Sequence, residues 1–407
     1  MYDAIIVGAR CAGSPLATLL ARKGYRVLLV DRATFPSDVI STHLIWQTGA
    51  AHLRRWGLLE QVAASNCPLI SKITLDFGEF ALKGLAPPSD GATECYAPRR
   101  RVLDTILIHA AVGAGAELRE GFTVEEVVSD GERVTGIRGH GKGGGSLIEK
   151  GRIVIGADGT HSVVARSVGA LAFNTRPALT CWYYSYWSGL NLDGAQLYSR
   201  PNRAMGGPPT NDGLTLVAVG WTNREFHDFR SDIEGNFLKT LALAPAYAAQ
   251  VLSGKREERF VGTADVPNFF RKRHGPGWAL AGDAAYHKDP ITARGISDAF
   301  RDADLLADAL DVGFSGRKPL EQSLVEYERR RNEEVSAMYD FTCDFATLAA
   351  PPEESRRLLA SISKDQIETN RYIGLIAGTV SIPEFFAPQN VERIMVKVKN
   401  ATGGDSA

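Results

Sequence analysis

The 407-residue sequence contains few cysteines, and none of them forms a CxxC pair. An odd number of scattered cysteines argues against a disulfide framework and against a zinc site, so we predict free thiols in a reducing compartment and no bound metal. The sequence also lacks an uninterrupted apolar run of about 20 residues, so no membrane span is predicted. The five cysteines are Cys11, Cys67, Cys95, Cys181 and Cys343.

Charge of one sign is not in excess either, because the formal net charge is −1. A nearly neutral chain gives no indication of a nucleic-acid partner or of binding to an anionic membrane. The first predicted strand begins at residue 2, which leaves no room for a signal peptide, and we therefore expect a cytoplasmic protein. A chain of this length should form two or three domains.

Residues 2–32 have the pattern of a dinucleotide-binding βαβ unit. An apolar strand leads into a turn at residues 8–13, and an apolar helix and a second strand follow. Gly8 permits the sharp turn, and Gly13 permits close packing of helix and strand. Asp31 ends the second strand, where it can accept hydrogen bonds from a ribose. The helix N-terminus offers free N–H groups to a pyrophosphate. The alternative interpretation is an α/β turn that binds nothing.

Arg10 occupies the position at which this fingerprint usually has its middle glycine. That glycine normally lets the phosphates approach the backbone. The arginine is compatible with nucleotide binding if its side chain points away, or if its charge helps to hold the phosphates.

Two β-rich segments interrupt the α/β pattern. We predict a discontinuous nucleotide-binding domain and an inserted domain with a second sheet, followed by a helical region. In the inserted domain, Trp182, Tyr184 and Tyr186 alternate along a strand and so share one face, either as part of a substrate pocket or as sheet core. The predicted boundaries are 1–70, 97–171 and 276–320 for the nucleotide domain, 71–96 and 172–275 for the substrate domain, and 321–407 for the C-terminal helices.

Three motifs in this order resemble the FAD-dependent aromatic hydroxylases, the group A flavoprotein monooxygenases typified by para-hydroxybenzoate hydroxylase. The motifs are residues 8–13 with Asp31, residues 156–166 (GADGTHSVVAR), and residues 282–285 (GDAA) with Pro290 and Gly295. The resemblance covers about residues 1–315. It implies an α/β fold with a Rossmann-like FAD-binding domain of the GR2 type, an inserted mixed β-sheet substrate domain and C-terminal helices. Geranylgeranyl reductases and flavin-dependent halogenases share this scaffold.

The resemblance also implies the residues that would bind FAD. The glycine turn would hold the pyrophosphate, with Arg100 of the RxxLD motif nearby, and Asp283 would bind the ribityl chain. His43 falls in a loop that reaches the flavin in this family. The implied cofactor-binding residues are Gly8, Ala9, Arg10, Cys11, Ala12, Gly13, Asp31, Arg32, His43, Arg100, Val124, Asp158, Asp283, Pro290, Gly295 and Ile296.

The third motif departs from the family in two places. Ala293 and Arg294 precede Gly295 where Gly-Gln-Gly is usual, and Tyr286 stands at a frequent histidine position, with His287 one residue later. Arg294 would place a cation beside the flavin, where it could stabilise a reduced anionic flavin, bind an acidic substrate, or simply pair with a neighbouring aspartate.

By this resemblance the expected activity is hydroxylation of an aromatic or polyketide-like small molecule by dioxygen, through a flavin C4a-hydroperoxide. NAD(P)H would supply electrons, directly or through a separate flavin reductase. The alternatives are a reductase of substrate double bonds, a halogenase, or a flavin-binding scaffold without turnover. The Tyr-x-Trp-x-Phe-Pro segment of reductases and the Trp-x-Trp-x-Ile-Pro box of halogenases are not found. No catalytic residue is assigned; the candidate bases are His43, His287, Tyr184 and Tyr186.

Overall fold

The computed structural model describes the backbone of residues 1–402 and the side chains of residues 1–396. Two large sheets, one small sheet and a set of C-terminal helices make up this part of the chain. The strands are β1 (Tyr2–Val7), β2 (Val27–Val30), β3 (Ile73–Asp76), β4 (Ala81–Gly84), β5 (Glu117–Arg119), β6 (Thr123–Asp130), β7 (Arg133–His140), β8 (Leu147–Gly156), β9 (Ala172–Arg176), β10 (Thr180–Ser188), β11 (Ala195–Arg200), β12 (Arg203–Gly207), β13 (Leu214–Thr222), β14 (Lys255–Arg256), β15 (Val261–Thr263), β16 (Asn268–Arg271), β17 (His274–Gly275), β18 (Trp278–Leu280) and β19 (Tyr286–His287).

The helices connect and cover these sheets. Within the described residues none of them is long and apolar enough to cross a membrane. They are α1 (Gly13–Arg22), α2 (Gln47–Trp56), α3 (Leu59–Ala63), α4 (Arg100–Gly113), α5 (Val163–Ser167), α6 (Phe226–Ser231), α7 (Ile233–Leu241), α8 (Pro245–Ser253), α9 (Gly295–Phe314), α10 (Leu320–Ala346), α11 (Glu353–Ile362), α12 (Gln366–Ala377), α13 (Ile382–Phe385) and α14 (Pro388–Thr402).

The first sheet has the strand order β17-β18-β8-β1-β2-β5, with β7 beside β8 and β6 beside β7. Its central strand β1 pairs in parallel with β2 along one edge and with β8 along the other, the arrangement typical of sheets that are buried on both faces. Ala4 and Ile6 pack with α1, α4 and α9 on one side, whereas Ile5 and Val7 pack with β6, β7 and α5 on the other. The alternation of side chains along β1 therefore builds two cores around one strand.

The second sheet has the order β14-β10-β13-β12-β11-β3-β4, with β15 beside β10. The early hairpin β3–β4 joins it through parallel pairing of β3 with β11. One face carries Tyr183 and Trp187 of β10 into a core formed with α6, α7 and α8. The opposite face carries Trp182 and Tyr184 and points toward the first sheet. The predicted fold class, an α/β fold with a second mixed sheet and C-terminal helices, is confirmed.

The third sheet has the order β19-β16-β9. Its strand β19 borders the central cavity, as do Arg331 of α10 and Ile376 of α12. Helix α10 packs along α9, and α12 packs against β4. Helix α12 starts at the N-cap Asp365, whose carboxylate accepts two backbone N–H bonds, and ends at Gly378 with a positive φ of 75°. Ile376, near the end of α12, thereby reaches the central cavity.

Candidate active site

The turn after β1 is shaped by close backbone contacts. Gly8 has a φ of 106°, and a Cβ there would lie 2.3 Å from the Ala157 carbonyl oxygen. A Cβ on Gly13 would lie 1.8 Å from the Gly8 carbonyl oxygen. Both positions therefore require glycine. Helix α1 has no side-chain cap and no acidic residue in its first turn. The Ser14 N–H donates to the Arg10 carbonyl and Pro15 has no N–H, so the Gly13 N–H and the positive end of the helix dipole are what this turn offers to an anion.

Asp31 lies at the end of β2, beside this turn. One carboxylate oxygen accepts the Ala9 N–H at 2.8 Å, and the other accepts the Ala33 N–H at 2.8 Å. Each oxygen has a further lone pair, so the carboxylate can still accept hydroxyl donors. Asp31 and Arg32 both line the central cavity.

Asp104 pairs with two arginines in the cavity wall near the glycine turn. This fully buried carboxylate accepts hydrogen bonds from Arg100 Nε at 3.0 Å and Nη2 at 3.1 Å, and it also pairs with Arg10. Arg10 bonds to Ser37 Oγ as well, at 2.9 Å. The arginine that replaces the middle glycine is thus held in the cavity wall beside Arg100. Asp104 is the last residue of the RxxLD motif, and its role could have been inferred from that spacing.

Asp158 has its carboxylate engaged within its own segment. It accepts bonds from Ser162 Oγ at 2.5 Å and from the Val163 N–H at 2.7 Å, at the start of α5. Burial raises the pKa of this carboxyl group. Asp158 therefore fixes the segment around Gly159, which borders the cavity.

The third motif presents a carboxylate and a second helix N-terminus to the same cavity. Asp283 lies exposed in the 3-10 turn Gly282–Ala284, after β18. Helix α9 begins at Gly295 without a side-chain cap, and a Cβ on Gly295 would meet no atom within 4 Å. The space in front of α9 is therefore open, and its N–H groups face it.

One cavity of about 720 Å³ connects these segments. It runs from the glycine turn to the aromatic face of the second sheet. Four of the predicted residues are absent from its lining among the described residues: Ala9, Gly13, His43 and Tyr186. The predicted residues that line it are Gly8, Arg10, Cys11, Ala12, Asp31, Arg32, Arg100, Val124, Asp158, Trp182, Tyr184, Asp283, Pro290, Gly295 and Ile296.

His43 and Tyr186 form a buried pair beside the cavity. His43 has a φ of 62°, is fully buried, and its Nε2 lies 2.6 Å from the Tyr186 hydroxyl. Burial, followed by repulsion from Arg100, lowers the pKa of His43 to about 3. The guanidinium of Arg99 lies over the Tyr186 ring at 4.0 Å. In this arrangement His43 links the loop of residues 33–46 to the second sheet.

A charged cluster at the start of α9 was not predicted as a whole. Its centre is Asp298, which pairs with Lys288, with Arg301 at 2.7 Å and with Arg294 at 3.4 Å. Burial alone would raise the pKa of Asp298, but these cations hold this pKa well below its usual range. Burial lowers the pKa of Lys288 to about 8. Of the roles considered for Arg294, the structure displays pairing with the neighbouring aspartate.

The other end of the cavity is mainly apolar. Trp182 and Tyr184 of β10 face it together with Leu216 and Ala218 of β13, and Leu197 of β11 lies alongside. This surface and the third motif are parts of one cavity wall. An aromatic or aliphatic ligand could therefore lie against the second sheet while it faces the loop between Asp283 and Gly295.

Comparison with known proteins identifies the ligand class. The sequence profile of a family described as "FAD binding domain" matches residues 1–342. The chain belongs to this family. The residues present fit this cofactor. The uncapped N-termini of α1 and α9 and the tight glycine turn suit the phosphates of FAD, and the Asp31 carboxylate suits the hydroxyls of a ribose.

Curated and solved relatives of this FAD-binding protein carry different reactions. A digeranylgeranylglycerophospholipid reductase of Methanosarcina acetivorans is 28% identical over 354 residues, covering 82% of this chain and 81% of the reductase. The myxobacterial chondrochloren halogenase CndH superposes with a TM-score of 0.79 at 22% identity, covering 97% of this chain and 95% of the halogenase.

A third relative is PqsL of P. aeruginosa, solved in complex with 2-aminobenzoylacetate. It superposes with a TM-score of 0.73 at 23% identity, covering 85% of this chain and 96% of PqsL. At this identity the solved structures show the fold alone. Together with the family, the relatives establish a flavin-dependent oxidoreductase and leave the reaction open.

Proposed function

We propose that this protein is an FAD-dependent monooxygenase that hydroxylates an aromatic or polyketide-like small molecule. The observation that carries the proposal is the single cavity that joins the glycine turn to the aromatic face of the second sheet. A ligand resting on Trp182 and Tyr184 would face the loop at Pro290, where the resemblance to the hydroxylases puts the flavin ring. Aromatic walls with few polar groups suit a planar organic substrate.

The segments that line the cavity suggest how FAD would be bound. The first turn of α1 would hold the pyrophosphate, with Arg10 and Arg100 beside it, and Asp31 would bind the ribose. Asp283 would bind the ribityl chain. Pro290, Gly295 and Ile296 would border the isoalloxazine ring. When bound and reduced, FAD supplies the electrons and the activation of dioxygen that side chains cannot supply.

Among the four candidate bases, His287 is the one whose position suits a cavity-bound phenol. Its Nδ1 donates to the Pro267 carbonyl, so Nε2 is the accepting nitrogen of the neutral ring, and the residue lines the cavity. Burial raises the pKa values of Tyr184 and Tyr186, which disfavours them as bases. His43 lies outside the lining and is occupied by Tyr186. We propose that His287 accepts the phenolic proton.

Reduction of substrate double bonds is the second candidate, because curated reductases of a digeranylgeranyl lipid are among the relatives. The first candidate is favoured because the sequence lacks the Tyr-x-Trp-x-Phe-Pro segment of the reductases, whereas the cavity wall has an aromatic face at Trp182 and Tyr184.

The test is reduction and reoxidation of the purified holoprotein. NADH or NADPH is added without oxygen, with or without a separate flavin reductase, while the visible flavin band is followed. Bleaching without the reductase identifies direct reduction, and bleaching only with it identifies a partner. A panel of phenols is then supplied with ¹⁸O₂. Incorporation of one ¹⁸O atom into a product supports the proposal.

Two other outcomes would contradict the proposal. Oxygen-independent loss of double bonds from a prenyl lipid identifies a reductase. A halogenated product that requires added chloride or bromide identifies a halogenase.

A further inference from the structure

Trp182, Thr180 and Asp289 are connected by buried hydrogen bonds. The Trp182 indole N–H donates to Thr180 Oγ at 2.6 Å, and the Thr180 hydroxyl donates to Asp289 Oδ2 at 2.6 Å. An indole can only donate, and an ionised carboxylate can only accept. The hydroxyl between them does both, so the direction of these hydrogen bonds is fixed while Asp289 is ionised.

Asp289 also shapes the loop at the flavin end of the cavity. Its Oδ1 accepts the Ile291 N–H at 3.1 Å, which caps the 3-10 turn Pro290–Thr292. Its own N–H donates to Asn268 Oδ1 at 2.7 Å. Asp289 is 1% exposed. One buried carboxylate therefore accepts hydrogen bonds from two segments, the turn at Pro290 and the strand β10.

Packing restricts the Trp182 ring in addition to this hydrogen bond. The ring lies flat against Gly220 of β13, where a Cβ would come within 2.7 Å of ring atoms. The same side chain lines the substrate end of the cavity. The direction of its N–H therefore decides how the ring is set in the cavity wall.

We propose that Asp289 is a positioning residue that orients Trp182 through the Thr180 hydroxyl, and so couples the shape of the substrate end to the loop at Pro290. The inference rests on the proposed function in one respect, namely that the Trp182 end receives the substrate. Trp182 is then a specificity-determining residue, because its ring limits the width of the aromatic group that can lie on the second sheet.

The ionisation of Asp289 makes the coupling measurable. Burial raises the pKa of Asp289 to about 7. Protonation turns one of its two accepting oxygens into a donor, which disturbs either the Thr180 bond or the Ile291 bond. The other ionisable groups near Asp289 are Lys288 and His287 of the same segment and Cys343 of α10, whose thiol pKa burial raises to about 11.

The test is NMR of the holoprotein labelled with ¹⁵N-tryptophan, recorded through neutral pH. Trp182→Phe assigns the Trp182 indole signal among the six tryptophans. We expect this signal to shift with pH in the wild type and in Thr180→Ser, and to stop shifting in Thr180→Val and Asp289→Asn. Trp221 is a matched control, because its N–H donates to Thr240 Oγ at 2.8 Å and Thr240 donates to the Asn236 carbonyl.

The Trp221 signal should stay constant in all variants. A Trp182 signal that does not titrate in the wild type, or one that still titrates in Thr180→Val or Asp289→Asn, would overturn the proposal. The wild-type titration can be judged even if the Thr180 and Asp289 variants do not fold, because it requires only Trp182→Phe to assign the signal. Retained flavin content shows that each variant is folded.

Specificity is tested with phenol and 2-naphthol, whose binding is read from perturbation of the visible flavin band. We expect the ratio of their affinities to change at least threefold in Thr180→Val and Asp289→Asn, and to stay at the wild-type value in Thr180→Ser. An unchanged ratio in the first two variants would refute the specificity role. If neither probe binds the wild type, the proposed aromatic substrate class fails, and the NMR titration still decides the positioning role.

Discussion

Removal of the Asp283 side chain should weaken the binding of FAD. The Asp283 carboxylate is exposed in a rigid 3-10 turn and lines the cavity, so it can bond to a cofactor hydroxyl without rearrangement. A hydrogen bond to a charged group contributes about 1.5–3 kcal/mol. Asp283→Ala should therefore weaken FAD binding by roughly ten- to 100-fold, measured by titrating apoprotein with FAD. Tight flavin retention by Asp283→Ala would remove the third motif from the binding site.

His287 allows a prediction about the proposed chemistry. General bases contribute about 10²–10⁴-fold to rates. We expect His287→Gln to slow hydroxylation of a phenol by about that factor, while reduction of the flavin by its electron donor keeps the wild-type rate. The two half-reactions are measured separately by stopped-flow absorbance. An equal loss in both would indicate a structural role for His287.

His43 and Asp289 should influence acid stability in opposite directions. His43 has a pKa of 6.5 in the unfolded chain and about 3 when folded, so the unfolded chain binds more protons between these values. Stability from His43 is therefore lost as pH falls through this window. The pKa of Asp289 rises from 3.8 in the unfolded chain to about 7 in the folded protein, so the folded protein binds more protons between these values. Stability from Asp289 is therefore lost as pH rises through this window.

The two contributions nearly cancel at mildly acidic pH, and single substitutions should reveal each of them. Between about pH 4.5 and 6, His43→Gln should make the slope of unfolding free energy against pH more negative by up to about 1.4 kcal/mol per unit, and Asp289→Asn should make it more positive by a similar amount. Denaturant unfolding of the holoprotein measures both. An unchanged slope in either variant would contradict the contribution assigned to that residue.

Alanine substitutions at three glycines, which lie at the ends of helices, should separate effects on folding from effects on FAD binding. A Cβ on Gly13 collides with backbone, one on Gly295 enters only the cavity, and one on Gly113 meets nothing within 4 Å. Gly13→Ala should cost about 3 kcal/mol or more and lower the yield of folded protein. Gly295→Ala should keep apoprotein stability and weaken FAD binding at least tenfold.

Gly113→Ala is the matched control for these substitutions. It lies at the end of α4, where alanine is the better helix former, and should change neither FAD affinity nor stability, except for a gain below about 1 kcal/mol. Thermal unfolding of apoprotein and holoprotein separates the three cases. Normal FAD affinity in Gly295→Ala would show that the cofactor does not approach the start of α9.

The elements that the sequence predicted well are those with a strong local pattern. The strand, glycine turn and helix predicted within residues 2–32 are present as β1, the turn at Gly8 and α1. Local patterns carry no information about pairing between distant segments. The parallel pairing of β3 with β11 was therefore out of reach, as was the gathering of Lys288, Arg294 and Arg301 around Asp298.

The direction of a side chain in an irregular loop is equally hard to infer from a sequence. The contact of His43 with the cofactor stays a prediction. The structure shows that His43 has a φ of 62°, which no sequence pattern indicates, and that its imidazole contacts the Tyr186 hydroxyl of the second sheet. Trp182 and Tyr184, in contrast, lie on a regular strand, and strand alternation predicted their common face.

At the scale of the whole molecule, the account depends on distant segments meeting at one ligand. Hydrogen–deuterium exchange of the apoprotein with and without FAD tests this. We expect FAD to protect, together, the segments around Gly8, Asp31, Asp158, Asp283 and Gly295, because all of them border the same cavity. Residues 226–253 pack on the opposite face of the second sheet and serve as an internal control that should exchange at the same rate in both states. Protection confined to residues 8–31 would mean that only the βαβ unit receives the nucleotide, and that the third motif lies outside the cofactor site.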